Sequence, residues 1–182
     1  MGILTEPLRF VEELKLPKKY SVCELGDQWI TCVEPHRLSV EWHRERGCGR
    51  YESIDANGRG TVTHDLNLPM PEGFGDFDLV TDFGTGEHVF NQFQVWKTVH
   101  HLTKVGGYIA FDRPSQGYRG HCFYNTHPNL ILALADANAY DVINMEQRQT
   151  PRGELVRGLM RRTRSGKFHG PQQARYRKIL KI

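Results

Sequence analysis

The sequence lacks the long apolar run that a membrane-spanning helix requires. Such a helix needs about 20 consecutive, predominantly apolar residues, and no run of that kind occurs in the 182 residues. The first twenty residues include Glu6, Glu12 and Glu13, which argue against the apolar segment of a secretory signal peptide. We therefore expect a globular protein that stays in the cytoplasm and has no membrane partner.

Paired cysteines are also missing. Cys23, Cys32, Cys48 and Cys122 include no Cys-x-x-Cys pair, the spacing that is typical of zinc ribbons and of redox motifs. Disulfide frameworks belong mainly to small, cysteine-rich secreted domains. We expect reduced thiols and predict no metal site.

Acidic residues are nearly absent from the C-terminal part of the chain. Residues 151–182 hold 10 Lys and Arg against 1 Glu, whereas the rest of the chain holds 14 Lys and Arg against 20 Asp and Glu. Such a segment can bind nucleic acid or another polyanion, remain solvated, or dock on the acidic body of its own chain. We predict a single domain over residues 1–165 and a basic extension over residues 166–182, with Phe168 and Tyr176 as docking candidates.

What the sequence does contain is a strand, a helix and a second strand between Phe77 and Phe111. Residues 78–81 are a short, mostly apolar run, as expected for a buried strand of a parallel sheet. Apolar residues then recur at the three-to-four spacing of a helix with one face on the core. They are Val89, Phe90, Phe93, Trp96 and Val99. Gly106 and Gly107 are expected to end this helix before a strand over residues 108–111.

A ligand site is predicted at the end of the first of these strands. Ligands of open parallel sheets bind beyond the carboxyl ends of the strands. The residues that follow strand 78–81 and would line this site are Asp82, Gly84, Gly86, Glu87 and His88.

Another strand that ends in a glycine is predicted over Ser21–Leu25. Gly26 would let the backbone approach a ligand closely, and Glu24 or Asp27 would accept hydrogen bonds from it. Alternatively, this is an ordinary buried strand that ends in a glycine turn. The two further glycines of a Gly-x-Gly-x-x-Gly fingerprint are absent, which disfavours a nicotinamide-dependent oxidoreductase.

Two further acidic residues follow predicted strands. Asp55 comes after a strand over residues 51–54. In nucleotide-binding parallel sheets, a carboxylate at the end of the second strand accepts hydrogen bonds from ribose hydroxyls. Alternatively, Asp55 is an ordinary acid in a surface turn. A third strand is predicted over residues 60–63, before His64 and Asp65. A metal site at these two residues is disfavoured because no His-x-His or His-x-x-x-His partner lies nearby.

The remaining elements are predicted from apolar periodicity and from Pro and Gly positions. They are helices over 5–16, 38–46 and 127–140 and a strand over 141–145.

Two segments carry a family resemblance. Glu-His-Val-Phe-Asn at residues 87–91 and Gly-His-Cys-Phe-Tyr-Asn-Thr-His-Pro at residues 120–128 resemble segments of class I S-adenosylmethionine-dependent methyltransferases, in particular bacterial and phage members often found near surface-sugar genes. The resemblance covers roughly residues 21–147.

The resemblance implies a Rossmann-like α/β fold, with a mostly parallel seven-stranded sheet and helices on both faces. It also implies S-adenosylmethionine as the cofactor and an antiparallel strand over residues 154–164, which we expect at an edge of the sheet. Family members use an acid such as Asp65 to accept from the adenine amino group, and the next residue, here Leu66, donates its backbone N–H. The implied cofactor-binding set is Glu24, Gly26, Asp27, Asp55, Asp65, Leu66, Asp82, Phe83 and Gly84.

Methyl transfer is an in-line displacement, so the protein mainly has to bind, align and desolvate the two reactants. If the acceptor must lose a proton, candidate bases are His88, His121 and Tyr124. A histidine can accept a proton because it titrates near neutral pH. Alternatively, these side chains connect loops to each other. The resemblance favours O-methylation of a sugar or another small metabolite. The alternative is a non-catalytic cofactor-binding or scaffold protein. Little chain is left over for a lid, so a second subunit could complete the pocket in a homodimer.

Overall fold

The structure, a computed structural model, describes residues 2–3 and 5–172. Its strands are β1 (Gly2–Ile3), β2 (Ser21–Leu25), β3 (Trp29–Ile30), β4 (Arg37–Leu38), β5 (Arg50–Ile54), β6 (Phe77–Phe83), β7 (Thr103–Gly117), β8 (Tyr140–Thr150) and β9 (Gly153–Arg162). Its helices are α1 (Thr5–Glu12), α2 (Ser39–Glu45), α3 (Gln92–Leu102) and α4 (Pro128–Asn138), and residues Gly86–His88 form a 3-10 turn. No helix in the described ranges is long and apolar enough to cross a membrane.

The main sheet has the order β5-β2-β6-β7-β9-β8. β5, β2, β6 and β7 pair in parallel, whereas β9 runs antiparallel to both β7 and β8. The predicted α/β fold with a mostly parallel sheet is thereby confirmed. A small second sheet pairs β1, β3 and β4 beside it.

The predicted count of seven strands is wrong, because the described residues contribute six to this sheet. The expected strand over residues 60–63 is reduced to one parallel bridge between Ile54 and Val62. A tight turn precedes Val62, and the side chain of Asp65 accepts a hydrogen bond from the backbone N–H of Asn67, at 2.9 Å. This local Asx turn bends the chain away from the sheet before a second pair of residues can join.

Helices cover both faces of the sheet because successive strand residues point to opposite sides. On β6, Val80 packs into a core with Val95 of α3 and Leu134 of α4. Its neighbour Leu79 packs into a separate core with Val11 of α1, in which Trp42 of α2 also lies. The two hydrophobic cores, one on each face of the sheet, hold the strands of the main sheet in place.

The core face of α3 differs from the prediction. Asn91 caps this helix by accepting a hydrogen bond from the backbone N–H of Gln94, at 3.1 Å, so Phe90 precedes the helix. Phe90 is 73% exposed and Phe93 is 55% exposed. The predicted residues Trp96 and Val99 are buried, together with Val95 and Leu102, and Val89 packs against the same core.

The antiparallel strand predicted over residues 154–164 is confirmed as β9. It lies between β7 and β8, so the expectation that it forms the edge of the sheet is wrong. Two arginines of this basic region form ion pairs or hydrogen bonds inside the fold. Arg157 pairs with Asp112 at 3.4 Å, and Arg162 donates to the backbone carbonyl oxygens of His100 and Thr103, at 2.8 and 2.6 Å.

The start of the predicted basic extension contacts the domain. The carbonyl oxygen of Gly166 lies 2.9 Å from Nε2 of His100, and the ring of Phe168 packs against Phe93. Asn138 exchanges two hydrogen bonds with the backbone of His169, at 2.8 and 2.9 Å. Tyr176, the other predicted docking residue, lies outside the described residues.

Candidate functional site

The carboxyl ends of β2, β5 and β6 converge on one edge of the sheet. Gly26, directly after β2, has φ +85°, and a Cβ at this position would collide with Oγ1 of Thr85. That hydroxyl donates to the carbonyl oxygen of Leu25 at 2.8 Å. Glycine is therefore required here both by backbone conformation and by the close approach of the segment after β6.

A first cavity of about 310 Å³ opens at this edge. We call it the β5 cavity. Its walls include four of the predicted residues, namely Asp55, Asp65, Leu66 and His88, together with Ile54 and Thr85. Residues from three separate segments of the sequence are thus brought together as predicted.

Asp55 organises the rim of the β5 cavity. One carboxylate oxygen accepts from the backbone N–H of Asp27, and the other from that of Asn57, each at 2.9 Å. A carboxylate has about four lone-pair positions, so each oxygen can accept one more hydrogen bond. Asp55 holds the Gly26 loop in place and can still bind a hydroxyl.

Asp65 lies on the opposite part of this cavity in an ordered turn. Its Oδ1 accepts from the backbone N–H and from the side-chain amide of Asn67, and these hydrogen bonds hold its pKa below the usual range. Asn67 in turn accepts from the backbone N–H of Asn91, at 2.9 Å. The neighbouring Leu66 is buried and supplies an apolar wall.

Glu24 does not line the β5 cavity. It is fully buried, and its carboxylate accepts from Oγ of Ser39 at 2.9 Å and from the hydroxyl of Tyr51 at 2.6 Å. Nε2 of His43 lies 3.4 Å away. Burial, followed by the adjacent Glu24, raises the pKa of Tyr51 far above its usual range, so this hydroxyl remains a donor. The structure thus places Glu24 in a buried polar cluster, away from the position expected of a cofactor ligand.

A second cavity, of about 540 Å³, lies beyond β6 and β7. We call it the β7 cavity. Its walls include Phe83, Gly84, Glu87, Asp112, Tyr118 and His121. The remaining walls come from Ile3 and Pro7 at the N-terminal end, from Pro114 of β7 and from the hairpin of β8 and β9. Of the residues predicted for the cofactor, Phe83 and Gly84 therefore face this second cavity.

A buried group of charges lies between the two cavities. Nε of Arg113 is 3.7 Å from Oδ2 of Asp82 and 3.7 Å from Oε2 of Glu87. Oδ1 of Asp82 accepts from the backbone N–H of Thr85 and of Gly86, at 3.2 and 2.8 Å. Asp82 therefore shapes the loop after β6 and lines neither of the two cavities.

Glu87 is the anomalous member of this group. It is 1% exposed, yet within the described residues neither of its carboxylate oxygens accepts a hydrogen bond. Burial, followed by the charge of Asp82, raises the pKa of Glu87 to about 8, although Arg113 opposes the shift. A buried carboxyl without hydrogen bonds is costly unless a ligand or a cation compensates it.

The two segments that carry the family resemblance contact each other. The backbone carbonyl oxygen of Glu87 accepts from the N–H groups of Phe123 and Tyr124, at 3.2 and 3.3 Å. The rings of His88 and His121 meet edge to face, with centroids 5.0 Å apart. Burial, and then the proximity of His121, lowers the pKa of His88.

The predicted catalytic residues lie at different positions around the cavities. His88 lines the β5 cavity and His121 the β7 cavity. Tyr124 lines neither, and its ring packs near that of Phe90, with centroids 6.4 Å apart.

Sequence reasoning missed Arg113, Thr85 and Tyr118. Arg113 is fully buried in the middle of the site, and its one sequence signal was a charge immediately after an apolar strand. Thr85 closes over Gly26, and Tyr118 lines the β7 cavity. Neither of them stands out by residue type or spacing.

The sequence matches no protein-family model and no curated protein. The structure is similar to that of 1,6-didemethyltoxoflavin-N1-methyltransferase from Burkholderia thailandensis, with a TM-score of 0.62 and 15% identity over 87% of this chain and 76% of that one. It is also similar to the N-methyltransferase NodS from Bradyrhizobium japonicum, with a TM-score of 0.58 and 16% identity over 88% of this chain and 94% of that one. A third match is an S-adenosylmethionine-dependent methyltransferase from Methanosarcina mazei, with a TM-score of 0.58 and 13% identity over 90% of this chain and all of that one.

These similarities establish the fold. The chain has the Rossmann-like fold of S-adenosylmethionine-dependent methyltransferases. The Burkholderia protein was crystallised with 1,6-didemethyltoxoflavin and S-adenosylhomocysteine, and NodS with S-adenosylhomocysteine.

Proposed function

We propose that this protein binds S-adenosylmethionine and transfers its methyl group to a hydroxyl of a small acceptor, a sugar or a related metabolite. The observation that carries the proposal is the β5 cavity, which unites Asp55, Asp65 and Leu66 at the carboxyl ends of parallel strands. Ligands of such sheets bind at this edge, and the fold is that of enzymes crystallised with the demethylated cofactor.

The residues of the β5 cavity fit the adenosine part of this cofactor. Asp55 keeps acceptor capacity for ribose hydroxyls, since each of its oxygens accepts one hydrogen bond from the backbone and has a second lone pair. Asp65 can accept from an exocyclic amine, and the buried Leu66 offers an apolar contact to a purine ring. The positive φ and tight surroundings of Gly26 provide the close backbone approach that nucleotide-binding turns use.

The β7 cavity would hold the acceptor. It combines apolar walls with hydrogen-bonding groups from Tyr118, His121 and Asp112, a mixture suited to a hydroxylated metabolite. When bound, S-adenosylmethionine supplies an electrophilic methyl group on a positively charged sulfur. His121 lines this cavity and would accept the proton that the acceptor hydroxyl loses. His88 and Tyr124 lie nearby, since the ring of His88 meets that of His121 and the N–H of Tyr124 donates to the carbonyl oxygen of Glu87.

The proposal is tested by ligand-induced stabilisation of the full chain. A ligand that binds only the folded protein raises its melting temperature in proportion to the logarithm of its concentration. We expect S-adenosylhomocysteine and S-adenosylmethionine to raise it, and NAD to leave it unchanged. No response to either sulfur compound at millimolar concentration would refute the proposal.

A second candidate is a non-catalytic cofactor-binding protein with the same fold. The favouring observation is the close packing of Thr85 against Gly26, together with Asp27 and Gln28 where related turns have further glycines. In this arrangement the threonine hydroxyl fills space beside the turn. Turnover separates the two candidates: methylation of any hydroxylated acceptor from a metabolite library supports the enzyme, whereas cofactor binding without product supports the scaffold.

A polyanion partner for the basic segment and a homodimer remain predictions. Arg157 and Arg162 are engaged inside the fold, which removes two cations from any binding surface. The exposed aromatic residues Phe90 and Phe123 beside the site are the surface on which a second subunit would complete the pocket. Light scattering measures the dimer, and the salt dependence of binding to an oligonucleotide measures the polyanion contact.

A further inference from the structure

The contact between the two resemblance segments assembles three metal-ligating side chains. Glu87, His88 and His121 each offer one ligand atom, and these atoms all lie within 4.8 Å of one another. Glu87 and His88 are fixed by the 3-10 turn after β6, and His121 comes from the loop after β7. The residues are far apart in sequence, so only the fold brings the set together.

We propose that Glu87, His88 and His121 form a binding site for a divalent transition-metal ion, zinc in the first instance. Two imidazoles and one carboxylate are a ligand set that zinc uses with a further position open to water or substrate. Imidazole ligands favour zinc and related ions over magnesium and calcium, which prefer oxygen ligands. This inference goes beyond methyl transfer and does not depend on it.

The state of Glu87 is an independent observation that points to a cation. Its side chain is 1% exposed, and in the described part of the chain neither carboxylate oxygen has a hydrogen-bond partner. Arg113 approaches only to 3.7 Å and is shared with Asp82 at the same distance. A buried carboxylate with unfilled lone pairs beside two imidazoles is the arrangement that a bound metal would satisfy.

The geometry allows the site to close and to be reached from solvent. Ligand atoms around a tetrahedral zinc lie roughly 3.3 Å apart, given bond lengths of about 2.0 to 2.2 Å. The three atoms must therefore move together by about 1 to 1.5 Å at most. His121 is exposed, and it lines the β7 cavity with Glu87. This exposed loop residue can make most of the movement, and the cavity gives the ion an entry path.

Metal binding would change the role of the two histidines. An imidazole lone pair that coordinates an ion cannot accept a proton, so in the metal-loaded protein neither coordinating nitrogen would act as the base. The ion would instead bind the acceptor oxygen at its open position and lower the pKa of the hydroxyl.

The test is metal binding by the purified full chain after removal of metals with a chelator. Zinc is titrated by calorimetry, and cobalt(II) is titrated by absorbance, because its visible bands report coordination geometry and thiolate ligation. We expect one equivalent of each ion, cobalt bands without sulfur-to-metal charge transfer, and no competition by magnesium. His121→Ala and Glu87→Gln should each weaken binding at least about tenfold.

Matched controls keep the result specific. His36 lies 3.0 Å from Glu34 on the surface, so His36→Ala removes a histidine from another carboxylate pair and should leave zinc binding unchanged. Cys122→Ser removes the thiol next to His121 and should also leave it unchanged. Absence of binding at millimolar zinc would overturn the proposal. So would equal affinities of the wild type and His121→Ala, or loss of binding in Cys122→Ser alone.

Discussion

Glu24, on β2, and Glu87, in the 3-10 turn after β6, are two buried carboxyl groups whose surroundings differ completely. Glu24 is 0% exposed and Glu87 is 1% exposed. The oxygens of Glu24 accept from Ser39 at 2.9 Å and from Tyr51 at 2.6 Å. Those of Glu87 accept from no described residue and face a cavity. Equal burial therefore does not mean an equal role, because hydrogen bonding separates a carboxylate that stabilises the fold from one that is available to a ligand.

The largest loss of stability is expected for Glu24→Ala. It leaves the donors of Ser39, Tyr51 and His43 buried and unpaired, so we expect the free energy of unfolding to fall by about 3 to 5 kcal/mol. Urea unfolding at pH 7 measures it. Glu45→Ala is the control, because Glu45 pairs with Arg37 on the surface and such pairs contribute about 0 to 1 kcal/mol. If both variants lost equally little, the buried cluster around Glu24 would not support the fold.

His100 is a buried base, and both of its ring nitrogens lie at hydrogen-bonding distance from a neighbouring group. Nδ1 lies 2.6 Å from the hydroxyl of Tyr140, and Nε2 lies 2.9 Å from the carbonyl oxygen of Gly166. Burial lowers the pKa of His100, and the nearby Arg162, His101 and His169 lower it further. The unfolded histidine titrates near pH 6.5, so just below this pH the unfolded state binds more protons than the folded state.

The contribution of His100 to stability is therefore complete above about pH 6.5 and is lost as the pH falls towards the folded pKa. Relative to a variant that lacks this titration, we expect the wild type to lose free energy of unfolding between pH 7.5 and 5.5, by less than Glu24→Ala loses, while the raised pKa of Glu87 acts in the opposite direction in both proteins. His100→Gln, which cannot titrate, should reduce this dependence. Unfolding curves at several pH values check it, and identical slopes for the two proteins would contradict it.

The smallest change in stability is expected for Glu87→Gln. The substitution keeps the shape of the side chain and removes no hydrogen bond among the described residues. Because burial and the charge of Asp82 raise the pKa of Glu87 to about 8, it also removes little charge from the interior at pH 7. We expect the free energy of unfolding at pH 7 to change by no more than about 1 kcal/mol, or to increase, while methyl transfer falls. A loss of stability as large as that of Glu24→Ala would show that Glu87 is a structural residue.

The sequence predicted the fold, and it predicted that residues after separate strands meet at one edge of the sheet, for a physical reason. Asp55 directly follows β5, and parallel strands carry such residues to a common edge. The turn that holds Asp65 reaches this edge through the single bridge between Ile54 and Val62. Glu24 was predicted as a cofactor ligand from its place beside Gly26, and the structure places its carboxylate in a buried polar cluster outside the β5 cavity. In the structure, Val22 and Glu24 alternate with Cys23 and Leu25 along β2, and the side of Val22 faces the core that contains Trp42 of α2.

The second half of the site could not be predicted at this level. Arg113 lies on β7, His121 lies on the loop after it, and both meet the segment after β6 only through the pairing of β6 with β7. No local spacing reports such a contact. Phe90 and Phe93 show the same limit, since helical periodicity placed both on the core face. In the structure α3 begins only after the cap at Asn91, and Phe93 remains largely exposed beside Phe168.

Calorimetric titration with S-adenosylhomocysteine tests most directly whether the β5 cavity binds the cofactor through Asp55. Asp55→Ala removes an acceptor for the ribose hydroxyls and should weaken binding by about 1.5 to 3 kcal/mol, the range of hydrogen bonds to a charged group. Asp141→Ala, an exposed carboxylate at the start of β8, is the control and should bind like the wild type. Binding by the wild type that Asp55→Ala weakens and Asp141→Ala does not is the predicted result. No binding by the wild type, or equal affinities for the wild type and Asp55→Ala, would contradict the account.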